Sequence, residues 1–197
     1  MSTKNNSKLN GKDLITIGIY TTIYFITMMV VGFLGFIPIF IPLLSVLVPI
    51  LGGIPFMLFL SKTNKFGMIT ILSLINGILM FATGMGFYSV ITGLLFGALG
   101  DLIIKSGQYR SVKKSIFGYG IFSMWLFGNF MPFFIGREAQ FSMLVKGYGQ
   151  EYAKALETLM PTWSAPILLL ACFVFGIIGG LIGKSICKKH FQRAGIA

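Results

Sequence analysis

Few side chains in this sequence are equipped to move a proton, hold a metal or attack a substrate. The single histidine, His190, sits in the basic run Lys188-Lys189-His190, where a solvated surface residue is expected. No cluster of His, Asp and Glu has metal-ligand spacing, and neither H-E-x-x-H, G-x-S-x-G nor a Walker A loop occurs. Cys172 lies inside an apolar run and Cys187 in the C-terminal tail, so neither a disulfide framework nor a cysteine metal site is supported. The expectation is a chain with no catalytic residue, no metal and no ATPase of its own. The chemistry that remains is that of binding.

Two carboxylates adjoin apolar runs. Asp13 reads as a helix-start residue beside Lys12. Asp101 lies near the end of a later run, and carboxylates within a membrane are costly and usually functional. It continues the four-residue repeat of Gly93 and Gly97, with Gly100 beside it, so one helix face would be small and end on an acid. Such a face either lets a partner helix dock closely or leaves Asp101 to pair with Lys105 at i+4. Gly176/Gly180 and Gly179/Gly183 repeat the small spacing, and Gly18 with Thr22 does so more weakly. Among uncharged polar groups, Asn76 and Asn129 fall within apolar runs, where a bare amide must find a partner. Trp125 precedes Asn129 by one α-helical turn, so the two would share a face, one stacking and the other hydrogen-bonding. Asn76 could equally be the partner of Asn129 across a helix interface. Tyr88, Arg137, Glu138 and Trp163 would gather near the outer surface, at a pocket mouth or as an aromatic belt.

The elements that must position these groups are membrane helices. The 197-residue chain is 55% hydrophobic and only 11% charged, whereas soluble chains are about a quarter charged. Apolar runs at 14–34, 42–60, 66–83, 87–105, 115–135 and 162–187 each approach the roughly 20 residues a bilayer core requires. The fold class expected is an all-α membrane protein, a bundle of six transmembrane helices forming one domain over 1–197. The net charge of +11 would suggest nucleic acid in a soluble chain, but its distribution argues otherwise. All sixteen Lys and Arg residues except Arg137, Lys146 and Lys154 fall in the N-terminal tail, the loops near 62–65 and 105–114, and the C-terminal end. Those three share a neutral segment with Glu138, Glu151 and Glu157. Basic clusters on alternate connections are the positive-inside pattern, and a basic face meets anionic headgroups favourably. A multi-pass protein of the cell membrane follows, with cytoplasmic tails at 1–13 and 188–197 and no nucleic-acid partner. The first apolar run is too long for a signal peptide and no A-x-A site follows it, so a retained helix is expected.

Two segments depart from plain spans. Pro38, Pro42, Pro49 and Pro55 crowd the second, and Gly52-Gly53 interrupts it. It is either a kinked helix or one whose outer part, near 35–42, gates a cavity. The connection 136–161 spaces Phe141, Leu144, Val145, Tyr148, Tyr152, Leu156 and Leu159 at three and four residues with charges between. That pattern is an amphipathic extracellular helix, bent at Gly147 and Gly149, that either lies in the headgroup plane or covers a pocket.

Taken together, the basic N-terminus leading into Gly18-x-x-x-Thr22, the stretch 38–55, Gly93-x-x-x-Gly97-Ala98-Leu99-Gly100-Asp101, and Trp125-x-x-Gly128-Asn129-x-x-Pro132 with its long following loop carry a resemblance over essentially the whole chain. The chain resembles the substrate-binding S components of energy-coupling-factor (ECF) transporters, of the MptD or Trep-Strep type. The resemblance implies a six-helix subunit that captures a micronutrient outside and topples to deliver it. A transmembrane T component and two cytoplasmic ATPases, which use the ATP, power the cycle. It implies docking of the T component through a small face on the first helix, here Gly18 and Thr22 where the family commonly has two alanines; spacing, apart from the resemblance, offers Gly93, Gly97 and Asp101 as a second candidate face. The expected substrate contacts are Trp125, Asn129, Tyr88, Asn76, Arg137 and Trp163. With few charges and aromatic walls, the expected ligand is a vitamin-like, largely apolar aromatic compound or a porphyrin such as haem, for which Tyr or Met would have to serve as iron ligand. The N-terminus lacks the histidine of cobalt and nickel S components, so those ions are not expected. The competing expectations are a non-catalytic membrane scaffold and a stand-alone secondary transporter, the latter disfavoured by the scarcity of intramembrane acids.

Overall fold

A run of apolar residues in lipid must satisfy every backbone group internally, so the helix is forced wherever the sequence permits one. The structure, a computed structural model, describes residues 8–193; Lys4 of the basic tail and the side chain of His190 lie outside the described positions. The helices are α1 (Gly11–Gly32), α2 (Phe40–Leu60), α3 (Met68–Ala82), α4 (Tyr88–Lys105), α5 (Val112–Ser123), α6 (Arg137–Tyr148), α7 (Gln150–Leu159), α8 (Ala165–Ile186) and the short α9 (Lys188–Arg193). Among the described residues, four segments are long and apolar enough to cross a membrane: Gly11–Phe36, Phe40–Leu60, Tyr88–Lys105 and Thr162–Ile186. The helix Met68–Ala82 is a shorter apolar element. The chain is therefore an integral membrane protein of helical class.

The expected fifth span is not one continuous α-helix. Helix α5 stops at Ser123 and continues as two 3₁₀ stretches, Met124–Asn129 and Met131–Phe133. Pro132 cannot donate to an α ladder. The Thr92 hydroxyl of α4 donates to the Trp125 carbonyl at 2.8 Å, supplying the partner that a longer helix would otherwise provide. Gly128 sits so close to Ser89 and Thr92 that any Cβ would overlap them.

Packing closes a ring in the order α1, α2, α8, α5, α4, α3 and back to α1. Its centre is aromatic: Phe56 lies 4.5 Å from Phe122 and 4.6 Å from Tyr119, and Tyr24 meets Phe122 edge-on. Helix–helix contact in lipid favours small residues, and glycine seams carry almost every joint. A Cβ on Gly53 would overlap the Gly179 carbonyl, one on Gly179 the Pro49 carbonyl, and one on Gly183 the Gly53 carbonyl. Helix α2 runs unbroken through Pro49 and Pro55, and the Tyr119 hydroxyl donates to the Pro49 carbonyl at 2.7 Å.

The end of the ring where α1 starts and α8 finishes carries the basic clusters. Asn10 and Asp13 form a capping box at the start of α1, and Asp13 also pairs with Lys65 at 2.7 Å. Cys187 is not a tail residue but caps α8 and is buried. At the opposite end, α6 and α7 lie across the ring, separated by Gly149, whose φ of 90° no ordinary side chain adopts comfortably. Gly147 stays within α6, so the bend expected there is absent.

Candidate functional site

A cavity of about 430 Å³ opens at this second end, roofed by α6 and α7. Its walls come from elements far apart in sequence. The last turn of α1 supplies Met28, Met29 and Gly32, and the following 3₁₀ turn Phe33 and Phe36. The start of α2 adds Ile41, Leu44 and Val48. The turn between α3 and α4, with Gly84 and Gly86 both at positive φ, adds Met80, Thr83 and Met85. The 3₁₀ stretches add Leu126, Asn129, Phe130 and Phe133. The roof brings Gln140, Met143, Leu144, Tyr148, Tyr152 and Leu156. Of the expected apolar stripe, Leu144, Tyr148, Tyr152 and Leu156 line the cavity, so the connection covers a pocket, although α6 itself buries no residue.

Specific contacts hold the roof. Tyr152 donates from its hydroxyl to the Gly35 carbonyl and stacks on Tyr148 at 4.9 Å. Burial, with Tyr148 beside it, raises the Tyr152 phenol above its ordinary range, so it stays protonated and remains a donor. The Arg137 guanidinium donates to the carbonyls of Phe133 (3.1 Å), Met160 (2.7 Å) and Glu157 (3.2 Å) and lies 4.6 Å from the Phe141 ring. It clamps the beginning of α6 to the end of α7.

The polar side of the cavity is small. Asn129 accepts from the Ser89 hydroxyl at 2.7 Å through Oδ1, while its Nδ2 is buried with no protein partner. No Asp, Glu, Lys, Arg or His lines the cavity among the described residues. Nor do those residues include a group of three or more His, Cys, Asp or Glu placed to hold a metal ion.

The substrate contacts expected from sequence are scattered in the fold. Only Asn129 lines the cavity. Trp125 is fully buried in the ring core with its Nε1 unpartnered. The two do not share a face because residues 124–129 are 3₁₀, not α: four residues advance about 40° in an α-helix but about 120° in a 3₁₀ helix. Asn76 is also buried, donating to the Leu72 carbonyl of its own helix at 2.9 Å, so it neither lines the cavity nor partners Asn129. Tyr88 stacks on Phe87 outside the wall, Arg137 is consumed by the clamp, and Trp163 is 67% exposed.

Of the docking candidates, only one is open. Gly93 and Gly97 pack against Ser73 of α3. Asp101 is fully buried: its Oδ2 accepts from the Gly67 amide (2.8 Å), the Thr70 amide (3.2 Å) and the Thr70 hydroxyl (3.1 Å), and its Oδ1 accepts from Tyr109 (2.8 Å). It is an internal cap on the N-terminus of α3, not a docking group, and it does not pair with Lys105, which sits over the Phe66 ring. Burial and then the Asp101 charge raise the Tyr109 phenol, which keeps its proton for this bond. Gly176, Gly179, Gly180 and Gly183 all face other helices. Gly18, by contrast, has nothing among the described residues within 4 Å of a would-be Cβ, and Thr22 is exposed beside it.

Reasoning from sequence missed Ser89 and the five methionines of the wall, Met28, Met29, Met80, Met85 and Met143. Their only signal is that Met28, Met29, Met80 and Met85 fall at or just beyond the C-terminal ends of the runs 14–34 and 66–83. A family model described as a hypothetical bacterial integral membrane protein (Trep_Strep) matches residues 11–193. No curated protein and no solved structure matches the chain.

Proposed function

We propose that this chain, which belongs to the Trep_Strep family of bacterial integral membrane proteins, is the substrate-binding S component of an ECF-type importer. The observation that carries this reading is the roofed cavity of about 430 Å³. Apolar walls with one or two convergent amides are how membrane and soluble proteins alike enclose a small organic molecule. The ring would cross the bilayer six times, the broken fifth segment included, with the cavity outside and the basic end in the cytoplasm. The subunit itself would be non-catalytic and bind no cofactor; a T component and two ATPases would supply the energy from ATP. Cargo in the vitamin-like, largely apolar class fits the walls.

The topology has a direct check. A cysteine introduced near Lys146 is expected to react with an impermeant thiol reagent on intact cells, and one near Arg110 is not. The reverse pattern overturns the orientation.

Docking of the T component is assigned to Gly18 and Thr22, the candidate face left open among the described residues. The protein is expected to co-purify with a T component and ATPases and to retain a small molecule detectable by mass spectrometry. Gly18→Leu with Thr22→Leu should abolish the co-purification and leave the retained molecule in place, because bulk blocks helix approach far from the cavity. Loss of the molecule with the complex intact would show the face to be wrongly assigned. No partner and no retained molecule with the wild-type chain would remove the S-component reading itself.

A further inference from the structure

We infer that the cavity opens sideways into the membrane leaflet at its own end of the ring, between the end of α1 and the turn joining α3 to α4, so that its ligand arrives dissolved in lipid rather than from water; the inference rests on the cavity being a small-molecule site. The first observation is a difference in helix length. The starts of α1 and α3 are level, because Asp13 in the first turn of α1 pairs at 2.7 Å with Lys65, two residues before the Gly67 cap of α3. From that level α1 runs 22 residues and α3 only 15. At about 1.5 Å per residue they rise about 33 and 22 Å, so α3 stops about 8 Å short of a hydrocarbon core about 30 Å thick. The turn after α3 therefore leaves a notch beside the last turns of α1, where Met28, Met29 and Gly32 line the cavity.

The second observation is where the wall is exposed. Its exposed residues are Phe33 and Phe36 after α1, Thr83, Gly84 and Met85 in the turn, and Met143 and Tyr148 of α6 above them. Phe33 is 65% exposed, Met85 47% and Met143 61%, so the rim of the notch is apolar. Helix α6 overhangs the notch but buries no residue, whereas the route over the end of the ring is closed by the pinned roof. The third observation is the turn itself. A turn in water is ordinarily polar, yet residues 81–87 carry no charge and expose Phe81, Met85 and Phe87. Irregular backbone at membrane depth must satisfy its own polar groups. Here the amides of Thr83, Gly84 and Met85 donate to the carbonyls of Leu79 (3.1 Å), Phe81 (3.0 Å) and Met80 (3.2 Å). The Thr83 hydroxyl also donates to the Met80 carbonyl, at 2.7 Å.

Two measurements on the full-length protein in phospholipid vesicles test this. Nitroxide labels on Phe33→Cys and Met85→Cys are compared with labels on Leu94→Cys, an exposed apolar position in α4, and on Lys146→Cys in the roof; both native cysteines are buried. Oxygen concentrates in lipid, and the neutral nickel ethylenediaminediacetate complex stays in water. Labels at 33 and 85 are expected to favour oxygen over nickel, as at 94 and unlike 146. Separately, Leu44→Cys places a thiol on the cavity wall for N-(1-pyrenyl)maleimide, an apolar reagent that dissolves in the bilayer. Adding Met85→Arg should slow that reaction by at least roughly tenfold, because a guanidinium is costly in an apolar mouth, and adding Lys146→Glu should leave it unchanged. The label measurement stands even if Met85→Arg does not fold. Labels at 33 and 85 that favour nickel would put the mouth in water and overturn the inference. Equal reaction rates with and without Met85→Arg, or no reaction at Leu44→Cys, overturn it as well. None of these results touches the binding reading, which stands or falls on the retained molecule and the co-purifying partners.

Discussion

Gly179→Leu, and Gly53→Leu on the facing helix, should each prevent accumulation of folded protein. The two glycines sit back to back where α2 crosses α8, and a Cβ on either would overlap backbone atoms of the other helix. Backbone cannot rotate out of the way as a flexible side chain can, so the helices must separate along the whole seam. Overpacking of this kind exceeds the usual range for single substitutions, and a loss of more than about 4 kcal/mol is expected. Gly18→Leu is the internal control, since its Cβ meets nothing and stability should hardly move. Thermal unfolding of the purified proteins in one detergent makes the comparison. A Gly179→Leu protein melting with the wild type would mean that α2 and α8 do not meet as described.

Asp101→Leu should be the most damaging substitution of a polar group. The carboxylate accepts four hydrogen bonds that join the start of α3 to the connection after α4. Its removal strands two amides and two hydroxyls, of which the Tyr109 hydroxyl is buried and those of Gly67 and Thr70 are partly buried. A loss of roughly 3–5 kcal/mol is expected, with Tyr109→Phe costing about 1–2 kcal/mol because only one bond goes. Gln108 and Tyr109 both adopt positive φ, so the turn that delivers the phenol has little conformational preference of its own to fall back on. Unfolding midpoints read the effect. A stable Asp101→Leu protein that no longer associates with a T component would instead return Asp101 to a docking role.

Much of the helical framework is legible in the order of residues along the chain. Hydrophobicity and run length are properties of consecutive residues, so the apolar runs match helices to within a few residues wherever the run is one plain helix. The basic clusters likewise declare one end of the bundle. The run 115–135 reads as a single helix in sequence, yet its break depends on Thr92 and Ser89 of another helix, which no local pattern reveals. Because that stretch winds as 3₁₀, Trp125 turns into the core while Asn129 faces the cavity.

The small-residue faces divide in the same way. Spacing shows that Gly18/Thr22, Gly93/Gly97 and the glycines of α8 each form a narrow face, because helix periodicity is local. Which face is covered depends on the order of helices around the ring. Ser73 of α3 fills the groove at Gly93 and Gly97, Pro49 of α2 fills that at Gly179, and no described element reaches Gly18. The cavity is the extreme case. Its lining is drawn from the ends of several separate segments and from a roof distant in sequence from α1, as the bond from Tyr152 to Gly35 spans 117 positions. Sequence by itself determined that this chain is a helical membrane protein, since burial in lipid is decided residue by residue along each run. Tertiary structure alone decided which methionines, aromatics and amides share a wall, since that depends on which helix ends the closed ring brings together.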